Sequence, residues 1–380
     1  MRVLVAGGGT GGHLFPGIAL AEEVVTRHPQ NDAIFVGTNR GLEARVVPAN
    51  GFVFEAIPSR GLKGMGLVKL VLGLLTIPLS FLSALRLLMR YRPDVVVGVG
   101  GYSSGPVVMA AWVLRVPTAI QEQNALPGLT NRILGRFVDV VFLTFENTRS
   151  FFPRARCEVM GNPIRKKLMD NFLQPKTTAE KFRLLIFGGS LGAKGLNQRV
   201  LDSLPFLEDL KGSLQVLHQT GKADVAEVRA AYESKHFKAT VTDFIDDMSA
   251  AYADSDLVIC RSGATTIAEL TVCKKASILV PFPKATDDHQ AVNARALVDA
   301  RAALMFRESE LTGEILAKVI RELINDRPRL NAMEEAASAL GHPSAAQDMA
   351  EVLVALTTRK WGNKGRAREG KPLRPEVKPT

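Results

Sequence analysis

The sequence predicts an α/β protein made of two doubly wound, parallel-sheet domains that face a cleft. Its 380 residues are too many for one ordinary domain and suit two. Short β-rich runs alternate with helical patterns nearly throughout, which is typical of parallel sheets covered on both faces. A strand that runs into a glycine-rich loop and a helix occurs twice, from residues 2 and 183. Such loops favour phosphate because backbone N–H groups converge at a helix N-terminus.

The first half, residues 1–161, is predicted to form one domain. Val95–Val99 shows no polar alternation, as expected of a strand buried on both faces. Gly161-Asn-Pro-Ile164 is a turn sequence that closes the domain. Strands are expected near 2–6, 33–37, 53–57, 94–99, 117–120 and 138–143, and helices near 16–28, 67–90, 104–114 and 127–136.

The second half, residues 162–343, repeats this scheme. Asp94-Val-Val-Val before a glycine loop has a counterpart in Asp256-Leu-Val-Ile before Arg261. Helical periodicity from 310 to 358 breaks at Gly341-His-Pro343, and we expect a last helix, 344–358, to pack back on the first domain. The segment 359–380 is rich in Gly, Pro, Lys and Arg without periodicity and predicts a basic disordered tail. Strands are expected near 183–187, 214–218, 238–241, 256–260, 276–280 and 302–305.

Composition narrows the class of protein. Residues 1–161 carry 16 Lys and Arg against 10 Asp and Glu, and the tail carries 8 against 2, whereas 162–358 carry 24 against 26. With only 6% aromatic residues, this distribution favours an anionic membrane surface or an acidic small substrate over nucleic acid. Three cysteines without C-x-x-C spacing predict neither a disulfide framework nor a zinc site, and fit a reducing cytosol.

One apolar run, 70–85, raises the question of a membrane. It has 16 residues, fewer than the roughly 20 that a spanning helix needs, and Gly73 and Pro78 interrupt it. A spanning helix, a buried helix and a segment resting on the bilayer remain open. The mixture of cations and apolar residues in 60–69 favours surface docking. Met1 leads directly into a strand, so no cleavable signal is expected.

The first glycine loop formally matches a dinucleotide-binding fingerprint. However, the second strand ends in Gly37-Thr-Asn39 without the acidic residue that holds a ribose, which argues against a dehydrogenase. Neither loop continues as G-K-[S/T], so a P-loop kinase is also disfavoured. His13 follows the first loop at a strand end, where an imidazole can take a proton from an attacking hydroxyl, although a lone histidine is more often structural.

Two polar residues of the second half suit a nucleotide sugar. Glu269 lies in the helix after Arg261-Ser-Gly-Ala264, and its carboxylate can accept hydrogen bonds from both hydroxyls of a ribose. Gln290 follows another strand end, and its amide suits sugar hydroxyls. The ordinary alternatives are a solvated helix face for Glu269 and a hydrated loop side chain for Gln290.

The ordered set of motifs resembles the MurG family of GT-B glycosyltransferases over about residues 1–358. The family implies two Rossmann-like domains and transfer of GlcNAc from UDP-GlcNAc to lipid I. Two positions depart from it: Gln121 replaces a histidine, and His289 replaces a glutamine of a Gln-Gln pair. The motifs are G-G-T-G-G-H at 8–13 directly after Gly7, G-G-Y-S-S-G-P at 100–106, E-Q-N at 122–124, G-N-P-I-R at 161–165, G-G-S-L-G-A at 188–193, F-I-D-D-M at 244–248 and C-R-S-G-A-T-T at 260–266.

The resemblance implies two groups of site residues besides the base. His13 is the first candidate for the base and Glu122 the second. The first domain would bind the acceptor diphosphate through Gly9, Thr10, Gly100, Gly101, Tyr102 and Ser103. The donor site would comprise Thr10, Gly11, Gly12, His13, Asn124, Arg165, Ser190, Ile245, Ala264, Thr265, Thr266, Glu269 and Gln290.

The resemblance also implies an inverting displacement by the C4 hydroxyl of MurNAc that yields lipid II for peptidoglycan synthesis. No D-x-D pattern lies in a suitable loop, so we expect no catalytic metal and no cofactor. Expected partners are UDP-GlcNAc, lipid I, the anionic inner-membrane surface and proteins of cell-wall synthesis, with no nucleic acid. The protein would be peripheral on the cytoplasmic face of that membrane. Another GT-B transferase with a lipid acceptor, a UDP-GlcNAc 2-epimerase and a non-catalytic sugar-nucleotide sensor remain alternatives.

Overall fold

The computed structural model describes residues 1–39, 41–59, 67–166, 168–169 and 181–361, and its contacts divide the chain into two compact units. Unit 1 comprises residues 1–165 and the segment from residue 344 onward, and unit 2 comprises residues 166–343. Each unit has its own sheet and its own hydrophobic core. The α/β class predicted from the sequence is confirmed.

Unit 1 contains a seven-stranded sheet in the order β3-β2-β1-β4-β5-β6-β7, with every pair parallel. All residues of β4 are buried, as its unbroken valine run predicts. The strand order reverses between β1 and β4, which is where open α/β sheets form a crevice for ligands. The strands are β1 Arg2–Gly7, β2 Asp32–Gly37, β3 Val53–Ala56, β4 Val95–Gly100, β5 Thr118–Glu122, β6 Val140–Leu143 and β7 Cys157–Val159.

The helices of unit 1 before the return segment are α1 Gly11–Arg27, α2 Glu43–Ala49, α3 Leu67–Tyr91, α4 Ser104–Val113 and α5 Leu129–Leu134. Helix α1 begins at Gly11 rather than near Pro16. The sequence did not predict this earlier start, because the first turn holds glycines and shows no apolar periodicity. Helix α2 and strand β7 were not predicted. Both are short, and α2 contains Val46, Val47 and Pro48, which are poor helix formers.

Unit 2 contains a six-stranded parallel sheet in the order β10-β9-β8-β11-β12-β13, with its reversal between β8 and β11. Its strands are β8 Phe182–Phe187, β9 Leu214–Gln219, β10 Ala239–Thr242, β11 Leu257–Cys260, β12 Ser277–Leu279 and β13 Ala303–Met305. Its helices are α6 Lys194–Ser203, α7 Val225–Ser234, α8 Met248–Ala253, α9 Ala264–Val272, α10 His289–Asp299, α11 Gly313–Asn325 and α12 Arg327–Ala339.

The two sheets share a detail at the base of their central strands. In unit 1 the Arg2 backbone N–H donates to the Asp94 carboxylate at 2.7 Å, and in unit 2 the Arg183 N–H donates to the Asp256 carboxylate at 2.9 Å. Each aspartate precedes the strand that adjoins the central one across the reversal. The same ion-to-backbone bond therefore fixes the register of both strand pairs that carry the glycine loops.

The last helix, α13 Ala345–Trp361, belongs to unit 1. Its Met349, Ala350 and Leu353 are buried in the same core as the apolar face of α1. The Arg27 guanidinium at the end of α1 donates to the Gln347 carbonyl at 2.9 Å. Residues 359–361 are helical rather than part of a disordered tail, and 362–380 lie outside the described residues.

Helix α3 is buried on one side and exposed on the other, and docking of its exposed side on a bilayer stays a prediction. Its Ala84, Leu88 and Tyr91 are buried, whereas Leu79 and Leu82 are 57% and 51% exposed. Within the described residues, no helix combines the length and apolar character needed to span a membrane. The preceding 60–66, part of the predicted docking stretch, lie outside the described residues.

Candidate active site

Two glycine loops meet at the strand reversal of unit 1. The Gly7–Thr10 loop follows β1, and the Gly100–Ser103 loop follows β4. Gly101 adopts a φ of +83°, and a side chain there would collide with the Gly8 carbonyl. The two loops are thus in backbone contact, so the residues predicted to bind the acceptor diphosphate lie close together.

His13 lies in the first turn of α1, directly beside this contact. Its Nδ1 is 3.1 Å from Oε1 of Gln123, a buried residue that follows β5. A methyl group on Gly100 would lie 2.8 Å from the same Nδ1, so the imidazole packs closely against the Gly100 backbone. The histidine is partly buried and fixed on two sides, as a positioned base requires.

Glu43 changes the prediction for Gly9. Its buried carboxylate accepts hydrogen bonds from the N–H of Gly9 at 2.8 Å and from the N–H and hydroxyl of Thr38, each at 2.9 Å. The Gly9 N–H is therefore engaged by a carboxylate of the chain itself and does not bind a phosphate in this arrangement. Burial alone raises the pKa of Glu43, but the donors at Gly9 and Thr38 hold that pKa below its ordinary value.

Glu122, the second candidate base, is placed unfavourably for that role. It is only 1% exposed, and its carboxylate accepts from the N–H of Asn124 at 3.0 Å, the N–H of Gly128 at 3.1 Å and the amide of Asn131 at 2.9 Å. Burial raises the pKa of this carboxyl, although these donors act in the opposite direction. Glu122 organises the loop from 124 to 131 and is not open to an acceptor hydroxyl.

The remaining residues predicted in unit 1 surround the same strand ends. The Asn124 amide also donates to Glu122, at 3.4 Å. The Arg165 guanidinium lies over the Phe15 ring of α1 at 4.7 Å. Thr10 precedes α1, and its carbonyl accepts from the N–H of His13 and of the next residue. Gly11 and Gly12 form the first turn of that helix, and Tyr102 is exposed whereas Ser103 is buried.

In unit 2 the glycine loop after β8 contains Ser190. The loop is exposed at Ser190, and Leu191 beside it is 93% exposed. At its start, the Gly188 N–H donates to the Gln219 side chain at 3.3 Å, whose own amide donates to the Asp243 carbonyl. The base of the loop is therefore held, while its tip is open to a ligand.

Helix α9 begins with Ala264, Thr265 and Thr266 and follows β11, the strand that adjoins β8. Its N-cap is Gly263, and no acidic residue lies in the first turn. The first N–H groups of a helix have no acceptor within that helix, and their dipole end attracts anions. This end of α9 suits the diphosphate predicted for it.

Glu269 projects from α9 with a defined partner. Its Oε2 accepts from the hydroxyl of Tyr252 at 3.0 Å, and Tyr252 is fully buried. Burial, together with the nearby carboxylate, raises the pKa of Tyr252, so the phenol stays a donor. Glu269 is thus an anchored carboxylate rather than a freely solvated one.

Gln290 and Ile245 complete the predicted donor group. The Gln290 Oε1 accepts from the Phe282 N–H at 2.9 Å, and its backbone carbonyl accepts from Ser262 in the loop before α9. Gln290 therefore connects two strand-end loops. Ile245 is half-buried before α8, where the Asp247 carboxylate accepts from the Ala250 N–H.

Sequence reasoning missed Glu43, Gln123 as a partner of His13, and Tyr252. Glu43 lies in a helix too short to be recognised, and the other two act through contacts between distant segments. Among the described residues, no group of three His, Cys, Asp or Glu is arranged to hold a metal ion. The lack of a catalytic metal stays a prediction. The three cysteines are buried and unpaired.

Two family models match the chain. The glycosyltransferase family 28 N-terminal domain matches residues 3–143, and the glycosyltransferase family 28 C-terminal domain matches residues 183–349. The first match lies in unit 1, and the second covers most of unit 2 and the start of α13.

Curated and solved proteins agree with these models. A Myxococcus xanthus protein named UDP-N-acetylglucosamine--N-acetylmuramyl-(pentapeptide) pyrophosphoryl-undecaprenol N-acetylglucosamine transferase is 62% identical over 378 residues, covering 100% of this chain and 98% of that protein. That match extends beyond residue 358, where the motif-based resemblance ended. The crystal structure of Acinetobacter baumannii MurG has a TM-score of 0.77 and 33% identity, covering 93% of this chain and 99% of that one.

A third comparison bears on the alternatives. The UDP-GlcNAc 2-epimerase from Neisseria meningitidis, solved with UDP-GlcNAc bound, has a TM-score of 0.66 and 13% identity, and the match covers 93% of this chain and 100% of that one. At that identity the likeness concerns the fold alone. The full-length identity to the transferase therefore outweighs it.

Proposed function

The chain belongs to glycosyltransferase family 28 and, within it, to the MurG family, and on that premise we infer that it transfers GlcNAc from UDP-GlcNAc to lipid I. The observation that carries this inference is the 62% identity over the whole chain to the Myxococcus xanthus transferase, whose name states donor and acceptor. The product would be lipid II, a precursor of peptidoglycan.

We propose an inverting displacement in which the C4 hydroxyl of MurNAc attacks the anomeric carbon as UDP leaves. His13 would accept the hydroxyl proton. Its place beside the backbone contact of the two unit 1 loops supports this role, because both loops are the proposed diphosphate site of the acceptor. The contacts to that diphosphate would come from Thr10, Gly100, Gly101, Tyr102 and Ser103. Gly9 would form part of the loop without donating its N–H, which is bonded to Glu43.

The donor would be held mainly by unit 2. The amide end of α9 would face the UDP diphosphate, where negative charge increases as the bond to the sugar breaks. Glu269, held by Tyr252, would accept from the ribose hydroxyls, and Gln290 would contact the sugar. Ser190 would add a hydroxyl at the diphosphate, the Ile245 backbone would contact uracil, and Asn124 and Arg165 would contribute from unit 1.

A membrane surface is the proposed location. Unit 1 exposes apolar side chains on three neighbouring helices, namely Leu79 and Leu82 on α3, Trp112 on α4 and Ile133 on α5. Trp112 also packs edge to face on exposed Phe137 at 5.2 Å between ring centroids. Four arginines are exposed on these helices or just after them, at 86, 115, 132 and 136. Apolar side chains surrounded by cations suit an anionic bilayer, and we propose peripheral attachment to the cytoplasmic face of the inner membrane.

The test is UDP release from UDP-GlcNAc in the presence of a lipid I analogue, with the lipid product identified by mass spectrometry. Addition of one HexNAc to the lipid supports the proposal. ManNAc formation without acceptor would indicate an epimerase instead, and UDP-GlcNAc binding without any UDP release would indicate a sensor. Because no metal is expected to take part, excess EDTA should leave the rate unchanged.

A further inference from the structure

A chain of buried amides leads to His13. The Gln121 amide nitrogen donates to Oδ1 of Asn162 at 2.7 Å, and the Gln123 amide nitrogen lies 3.4 Å from Oε1 of Gln121. All three residues are at most 1% exposed. Buried polar groups of this kind hold one arrangement because each unmade hydrogen bond is costly.

The orientation of the Gln123 amide is determined by a backbone carbonyl. Its Nε2 lies 2.9 Å from the Val99 carbonyl oxygen, which can only accept a hydrogen bond. The amide nitrogen must therefore face Val99, and the reversed amide would set two oxygens against each other. As a result, Oε1 faces Nδ1 of His13 at 3.1 Å.

This orientation selects one form of the imidazole. Because Oε1 of Gln123 can only accept, Nδ1 of His13 must carry the proton, and the lone pair of the neutral ring is then on Nε2. The Gly100 backbone, packed against Nδ1 and Cε1, restricts the ring on another side.

We propose that Gln123 is a positioning residue that holds neutral His13 in the Nδ1–H tautomer and so makes Nε2 the basic atom. The inference rests on the proposed transfer to a hydroxyl. In that step the acceptor oxygen bonds to the anomeric carbon, its proton passes to Nε2, and the bond to UDP breaks with its electron pair on the leaving phosphate. Nδ1–H keeps donating to Gln123 before and after proton transfer.

The direct test is the nitrogen NMR spectrum of the full chain with ¹⁵N-labelled histidine. The chain has six histidines, and a His13→Gln variant identifies the His13 signals by their loss. We expect Nδ1 to be protonated and Nε2 unprotonated at neutral pH in the wild type. In Gln123→Leu we expect a mixture of tautomers, because the directing acceptor is gone.

Gln121→Leu is the matched control. It removes a buried amide of the same chain but leaves the contacts of Gln123 with Val99 and His13 in place. It should lower thermal stability while the His13 tautomer stays Nδ1–H. Gln123→Met, close to glutamine in shape, serves as the second variant if the leucine substitution prevents folding.

Kinetics give a second readout. A positioned base contributes about 10²–10⁴-fold in all. Gln123→Leu loses only part of that contribution, because a mixture of tautomers still contains the right one, so kcat should fall by about 3- to 10-fold. The KM for UDP-GlcNAc should stay within about 2-fold of the wild-type value, because the substitution does not alter the contacts that bind the donor equally in the ground state and the transition state. Gln121→Leu should leave both close to wild type.

Two results would overturn the proposal: an Nε2–H tautomer in the wild type, or an unchanged tautomer in both Gln123 variants. Each of these two results can be obtained with an enzyme that still transfers GlcNAc, so each would refute the role of Gln123 and leave the proposed transfer activity intact. Conversely, the expected tautomer in a chain that never releases UDP would leave the Gln123 assignment intact and refute the proposed function.

Discussion

Substitution of His13 and substitution of Glu269 are expected to change different kinetic parameters. His13→Ala should lower kcat by about 10²–10⁴-fold with little change in the KM for UDP-GlcNAc, since a base acts in the transition state. Glu269→Ala should raise that KM by about 10-fold or more, because hydrogen bonds to a charged group are worth about 1.5–3 kcal/mol. Steady-state kinetics distinguish the two.

His28→Ala is the control for the histidine substitution, because His28 is an exposed residue at the end of the same helix. It should keep wild-type kinetics. The reverse pattern, with a binding defect in His13→Ala and a turnover defect in Glu269→Ala, would contradict the assignment of both residues.

Glu43 gives a prediction of pH dependence. Its pKa is lower in the folded chain than its ordinary value of 4.5, so its contribution to stability is complete above 4.5 and is lost as pH falls through the folded value. Glu43→Gln places an amide N–H₂ against backbone donors and should cost about 1–3 kcal/mol at neutral pH. The difference in thermal midpoint between variant and wild type should shrink as pH falls from 7 to about 3.

Glu146→Gln is the matched control for Glu43. The Arg149 guanidinium lowers the pKa of Glu146, but both side chains are exposed, so the pair contributes little to stability. Its midpoint should match the wild type at every pH. A Glu43→Gln difference that is constant across the range would mean that the ionised form is not what stabilises the loop.

The residues at the site were predictable where the sequence itself carries the signal. His13 and Glu269 stand beside loops of small residues at strand ends, a pattern that the topology of open sheets explains. Glu43 and Gln123 were not, because their roles depend on hydrogen bonds to Gly9 and His13 across 34 and 110 residues of chain. Spacing along a sequence contains no information on such pairs.

At the level of elements, the strands were the most predictable part. Buried parallel strands such as β4 are continuous apolar runs, which the sequence displays directly. The start of α1 was not predictable, because its first turn is built of Gly11, Gly12 and His13 and has no apolar face. The consequence is functional: the candidate base lies on a helix rather than on a loop.

Helix α3 leads to a prediction about membrane binding. Leu79→Glu combined with Leu82→Glu should weaken binding to vesicles containing anionic lipid by about 10-fold or more, since burying each leucine is worth about 1.5–3 kcal/mol. Both residues are exposed, so thermal stability should stay near wild type. Cosedimentation with the vesicles measures the effect.

Phe206→Glu, which changes an exposed apolar residue of unit 2, is the control for this surface. It should bind vesicles as the wild type does. Equal loss in both variants would show that added negative charge, and not the α3 face, is responsible.

For the molecule as a whole, unit 1 depends on a helix from the end of the chain. Deletion of residues 344–380 removes α13 and exposes the part of α1 that α13 covers, at a cost of about 1.5–3 kcal/mol for each buried Met or Leu removed. We expect unit 1 to lose its protection from hydrogen exchange while unit 2 keeps its own. Mass spectrometry of exchanged peptides resolves the two units.

Deletion of residues 362–380 alone is the comparison. It leaves α13 in place, so both units should exchange as in the full chain. Loss of protection in unit 1 after this shorter deletion would assign the stabilising contact to the last segment and not to α13.

The return of α13 also fixes the order in which the protein can be completed during synthesis. The ribosome makes strands β1–β7 first, and α1 can pack on them, yet the part of α1 that α13 covers stays exposed until that helix has been translated. Unit 2 is encoded by one uninterrupted stretch and can finish folding before that moment. Unit 1, whose first residues are translated before those of unit 2, is therefore the unit that completes its folding last.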